Sequence, residues 1–123
     1  MKAAILSIYL DNIPSCLVDK QALVVEKYLP RYVDFYQTRS VRHAVGIDDF
    51  LRSHVYDVYL ILDIDCIPLN NIVLPWMLET ASSDILVGCA QRANHIENGE
   101  HIYAGPCPSV PMFPGTTSYE KLV

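Results

Sequence analysis

Asp63 and Asp65, two residues apart in Leu60-Ile61-Leu62-Asp63-Ile64-Asp65-Cys66-Ile67-Pro68-Leu69, are the side chains best suited to chemistry. Two carboxylates spaced i, i+2, where an apolar strand gives way to irregular chain, can converge on one hard cation. Oxygen donors of that kind select Mg2+ or Mn2+. A cation held there would bridge diphosphate oxygens and ease the departure of a diphosphate leaving group. The competing reading is that the two acids only stop a strand and shape a turn. The long apolar strand before them and the Pro68 turn after them favour the metal.

The elements that must position this pair follow from periodicity. Tyr56–Leu62 is nearly continuous apolar chain, the pattern of a strand at the centre of a parallel sheet covered by helices. Ala3–Leu10 predicts another buried strand, and Asp11–Ser15 a loop. Leu17–Leu29 has apolar residues at helical spacing and stops before Pro30; Tyr32–Gln37 alternates as a strand does. Asp48 or Asp49 is expected to cap a short second helix, and Ile72–Ala81 predicts a third, with Pro75 in its first turn. Trp76 and Met77 on that helix read as core. Asp84–Cys89 predicts a further strand. The resulting βαβαβαβ order argues for a single α/β domain over residues 1–123, three-layered, with a mostly parallel central sheet and its ligand site at the carboxyl ends of the strands. From Asn98 onward Gly and Pro accumulate, so segment 98–123 is expected to be irregular, with at most a short hairpin around Asn98-Gly99.

Composition narrows the partners. Nine Lys+Arg against 14 Asp+Glu give a formal net charge of −5, which argues against nucleic acid and anionic lipid. No apolar stretch approaches the roughly 20 residues of a membrane span. Met1–Leu10 carries one basic residue and meets Asp11 early, so it reads as a strand rather than a signal sequence. Cys16, Cys66, Cys89 and Cys107 contain no C-x-x-C pair, which makes zinc a poor expectation and reduced thiols in a cytoplasmic location the better one. The five glycines are too scattered for a phosphate-cradling loop, and no serine sits in a G-x-S-x-G elbow. Cys66, beside two carboxylates that would raise its thiol pKa, reads as packing.

The stretch Tyr56–Leu69 resembles the D-x-D region of glycosyltransferases with the GT-A fold, whose Rossmann-like domain binds a nucleotide-sugar and a divalent metal. Ala3–Asp11 is similar to that family's first strand and nucleotide-binding loop, Gly88–His95 to the strand and loop that line the sugar, and His101–Pro106 to the segment that follows in small bacterial and phage-type members. The resemblance implies that Asp65 binds Mn2+ or Mg2+ and that Asp63 contacts the ribose and reaches the metal. It further implies that Tyr9 stacks on the base, Asp11 bonds the ribose, and Arg42, in competition with Arg39, contacts the diphosphate or base. Gln91, Asn94 and His95 would meet the donor sugar. The default donor is a UDP-sugar, the acceptor is open, and no catalytic base stands out unless Glu97 or Glu100 serves.

The chain departs from that family in offering only Cys66–Val123 after the motif, so a homodimer covering Val110, Met112 and Phe113 is the expected working form. Two other readings stand beside the transferase. One is a non-catalytic domain that binds a nucleotide or a partner. The other is a haloacid-dehalogenase-like phosphatase, in which Asp63 would be the nucleophile and Asp65 the general acid. That phosphatase wants its motif after the first strand and a downstream Lys, and the only Lys after Asp65 is Lys121.

Overall fold

The computed structural model describes residues 1–81 and Val87, and, as backbone only, 90–97, 100–106 and 112–114. The order of elements is β1 (Ala3–Tyr9), α1 (Ser15–Tyr28), β2 (Val33–Arg39), α2 (His43–Ser53), β3 (Val58–Asp63), α3 (Val73–Thr80), β4 (Ala90–Glu97), β5 (Glu100–Pro106) and β6 (Met112–Pro114). The main sheet runs β2-β1-β3-β6. Its first three strands are parallel, with Ile5 opposite both Phe35 and Leu60. β6 joins β3 antiparallel, Tyr59 facing Phe113.

The alternation of side chains along β1 and β3 divides the core. Ala3 and Ile5 of β1 with Val58, Leu60 and Leu62 of β3 pack against Val25 of α1 and Leu74, Met77 and Leu78 of α3. Ala4, Leu6 and Ile8 with Tyr59 and Ile61 turn the other way, onto Phe50 and Leu51 of α2. Both faces of these strands are apolar because each is covered by a helix. Among the described residues the protein is therefore a mixed α/β structure with three parallel strands and three helices.

Several expectations are corrected. α2 starts at His43, not beside Asp48 or Asp49, which lie in its interior; Arg42 is its N-cap and gives no side-chain cap. The helix is fixed instead by Phe50 and Leu51 against the sheet and by Gly46, where an added Cβ would stand 2.9 Å from Ser40 Cβ and 3.1 Å from Ile8 Cδ1. Pro75 is the third residue of α3, and Trp76 is exposed while Met77 is core. The predicted strand Asp84–Cys89 lies outside the described residues except for Val87. β4 and β5 form an antiparallel ribbon with Glu97 opposite Glu100, and the expected Asn98-Gly99 turn lies outside the described residues. Segment 98–123 contains more regular structure than one hairpin, because Met112–Pro114 is a strand of the main sheet.

A polar cluster lies on the α2 side of the sheet. Tyr56 donates a hydrogen bond to Asp34 Oδ2 (2.7 Å), and its hydroxyl is 2.6 Å from that of Tyr36. Burial first, then hydrogen bonding with Tyr36 and Asp34, holds the Tyr56 phenol well above its ordinary pKa.

Candidate functional site

Three strand ends line up at the carboxyl edge of the sheet. Register sets Ile8 of β1 opposite Asp63 of β3 and Tyr9 opposite Arg39 of β2, so the sheet order places the Arg39–Tyr9 pair and the Ile8–Asp63 pair one residue apart at the same edge. Just above them is a cavity of about 260 Å³ lined by Tyr9, Leu17, His43, Asp63, Ile64 and Asp65, among others. Both acidic residues of the motif are thus among those lining one cavity.

The geometry that brings them there is a β-turn. The Cys66 N–H donates to the Asp63 carbonyl (2.9 Å), closing Asp63-Ile64-Asp65-Cys66 with carboxylates at its first and third positions. Asp63 continues the side-chain alternation of Tyr59 and Ile61 and so points to the α2 side, where His43 Nε2 stands 3.7 Å from its Oδ1. Asp65 is exposed. Gly46 lets α2 close on β1 and so keeps His43, the first residue of that helix, above the site.

The turn is held from below by a residue that sequence reasoning did not single out. Gln21 of α1, with 1% exposure, donates through Nε2 to the Asp63 carbonyl (2.7 Å) and the Cys66 carbonyl (3.0 Å). Its Oε1 accepts from Gln37 Nε2 (3.1 Å), and Gln37 also donates to the Val18 carbonyl (2.8 Å). With two carbonyls facing one end of Gln21 and an amide N–H the other, its orientation is set by its partners. The signal was present in the spacing: Leu17, Gln21 and Val25 share one face of α1, and a polar residue on that stripe is a buried one.

The nucleotide-side residues fall into two groups. Tyr9 ends β1 with its ring 5.7 Å from the Arg39 guanidinium, and Arg39 Nε is 3.6 Å from Asp11 Oδ1. Arg39, not Arg42, is therefore the arginine beside Tyr9 and Asp11; Arg42 is exposed at the start of α2. Gln91, Asn94 and His95 lie on β4, and their side chains are outside the described residues. Glu97 and Glu100 are register partners in the ribbon.

Among the described residues no group of three or more His, Cys, Asp and Glu side chains is arranged to hold a metal ion. Two acidic residues on one turn lining one cavity nevertheless suit a hard cation that keeps several waters and takes the rest of its shell from a ligand's phosphate oxygens. No helix among the described residues is long and apolar enough to cross a membrane. Cys16 is a free, exposed thiol, and Cys66 packs against the α1/α3 core. Comparison with protein families, with curated proteins and with solved structures finds no match to this chain.

Proposed function

We propose that the chain is a GT-A-type, Rossmann-like domain that binds a nucleoside-diphosphate sugar together with Mn2+ or Mg2+ and serves metal-dependent glycosyl transfer. The observation that carries this reading is the placement of Asp63 and Asp65 on one β-turn at the carboxyl end of parallel strand β3, lining the same cavity as Tyr9. Ligands of open α/β sheets bind outside the carboxyl ends of the strands, where loops and helix starts supply the contacts.

In this reading Asp65 and Asp63 hold the cation, with Asp63 also turned toward the ribose. Tyr9 presents its ring to the base, Asp11 bonds the ribose, and Arg39 borders the base end. His43 faces Asp63 across the cavity and donates to diphosphate oxygens. When bound, the cation would neutralise the charge that develops on the leaving diphosphate. A UDP-sugar is the default donor, and Gln91, Asn94 and His95 on β4 are assigned to the sugar by the family resemblance alone.

The test is a thermal-shift screen of UDP, GDP, CDP and ADP, with and without Mn2+. A ligand at about 100 times its Kd stabilises the folded state by about 2.7 kcal/mol, enough to raise Tm by several degrees. The expected result is a rise that needs the nucleotide and the cation together. Equal melting in all mixtures counts against the reading.

A further inference from the structure

From the hydrogen bonds beneath the D-x-D turn, and resting on the reading that Asp63 and Asp65 hold a divalent cation, we infer that Gln21 is the positioning residue for that pair. Gln21 is not among the residues lining the cavity that Asp63 and Asp65 share, and it borders the neighbouring cavity on the α1 side together with Asp65. It acts on the pair through the backbone, because its Nε2 spans the carbonyls of Asp63 and Cys66, the first and last residues of the turn.

The physical argument starts from the turn itself. Asp63-Ile64-Asp65-Cys66 is closed by the backbone hydrogen bond from the Cys66 N–H to the Asp63 carbonyl, and Asp65, Ile67 and Leu69 around it are exposed. A turn held that way opens readily, and its third residue, Asp65, would sweep a wide arc as it does so. Gln21 adds two donors at the turn's two ends. Its side chain is itself clamped, since Gln37 donates to its Oε1 and to the Val18 carbonyl, joining β2, α1 and the turn in one chain of bonds. A buried primary amide with both N–H groups and its oxygen engaged has no alternative rotamer that keeps its partners, so it transmits the rigidity of α1 to the motif. Methionine at position 21 would match the shape and supply no donor.

The experiment measures the turn and the cation separately. Amide exchange in the metal-free protein compares Cys66, whose N–H closes the turn, with Leu60 in the middle of β3. In Gln21→Met the protection of Cys66 is expected to fall about tenfold or more while Leu60 keeps its own. Mn2+ alone, followed by its electron paramagnetic resonance signal, is expected to bind Gln21→Met about tenfold more weakly than the wild type, the scale on which partners behind a metal ligand act. Gln37→Met should move both readouts in the same direction by less, and it decides the matter if Gln21→Met does not fold.

Loss of protection at Cys66 and Leu60 together, or at neither, overturns the positioning role and leaves Gln21 a core polar residue. Unchanged Mn2+ affinity in Gln21→Met, in a protein whose Asp65→Ala variant has lost it, overturns the role as well. If the wild type binds Mn2+ no better than Asp65→Ala does, the cation reading is the one that fails, and with it the inference as stated; the exchange result then reports only on the turn.

Discussion

Arg39 Nε lies 3.6 Å from Asp11 Oδ1 while its guanidinium stands 5.7 Å from the centre of the Tyr9 ring, so one exposed side chain ties the end of β2 to the end of β1. An exposed pair of this kind contributes about 0–1 kcal/mol to stability, and its removal leaves the fold intact. Arg39→Ala is therefore a clean probe of ligand binding. Loss of a cation–ring contact at an exposed site is expected to weaken UDP binding in the presence of Mn2+ about two- to fivefold, with a smaller change for Arg42→Ala. Titration calorimetry on the two variants checks the order, and a larger loss in Arg42→Ala reverses the assignment.

Tyr56 sets an alkaline limit on stability. Burial and its hydrogen bonds with Tyr36 and Asp34 raise its pKa in the folded protein above the ordinary 10.0, so this contribution is fully present below pH 10 and is lost as pH rises toward the folded value. Tyr32, raised by burial and then by Glu79, adds to the same trend. Tm is expected to fall as pH is raised above 10, and less steeply in Tyr56→Phe. At neutral pH that variant should lose about 0.5–1.5 kcal/mol, because the exposed Asp34 carboxylate can replace its lost donor with water. Parallel slopes for the two proteins would remove Tyr56 as the cause.

Gly46→Ala opposes two effects of known size. Alanine gains about 1 kcal/mol in helix propensity over glycine. Its Cβ, however, would stand 2.9 Å from Ser40 Cβ, 3.0 Å from Ser40 Oγ and 3.1 Å from Ile8 Cδ1, and Ser40 Cβ is fixed to its backbone. Overpacking costs about 1–3 kcal/mol, so a net loss of about 1 kcal/mol is expected in urea denaturation. A stabilised variant would mean that α2 stands further from β1 than described.

Ser7 offers the opposite sign. It is fully buried on β1 between Gln37 and Leu62, and among the described residues its Oγ has no hydrogen-bond partner. Removing an unsatisfied buried hydroxyl relieves a desolvation cost, and Ser7→Ala is expected to be neutral or more stable by up to about 1 kcal/mol. A lower Tm would show that a buried water satisfies the hydroxyl.

Much of this arrangement was legible in the chain because burial on two faces leaves a strong mark. Val58–Asp63 and Ala3–Tyr9 are apolar at nearly every position, since each strand feeds both core clusters, and α1 is bounded by Pro14 and Pro30. The start of α2 was not legible, because Arg42 offers no capping side chain and the helix is seated by Gly46 and Phe50 through tertiary contact. The meeting of Asp63 and Asp65 at one cavity was readable from a spacing of two after an apolar strand. The meeting of Arg39 with Asp11 was not, because it depends on the register of β2 against β1. β6 was missed because a three-residue strand that follows Pro111 and ends in Pro114 carries no period, and the sheet edge of β3 decides its conformation.

The phosphatase alternative differs in covalent chemistry, since it requires Asp63 to form an aspartyl-phosphate whereas a transferase uses that carboxylate for positioning. Magnesium with fluoroberyllate, a mimic of the adduct, is expected to give no rise in Tm beyond magnesium alone. Protection, together with phosphate release from a generic ester, would replace the transferase with the phosphatase.

The most direct measurement is calorimetric titration of UDP into wild type and Asp65→Ala, each with and without Mn2+. Mn2+ is expected to tighten wild-type binding at least about tenfold, equivalent to about 1.4 kcal/mol, and to do nothing for Asp65→Ala. Equal affinity with and without Mn2+ in the wild type, or an Asp65→Ala protein that binds as its parent does, would contradict a cation-dependent nucleotide site at the end of β3.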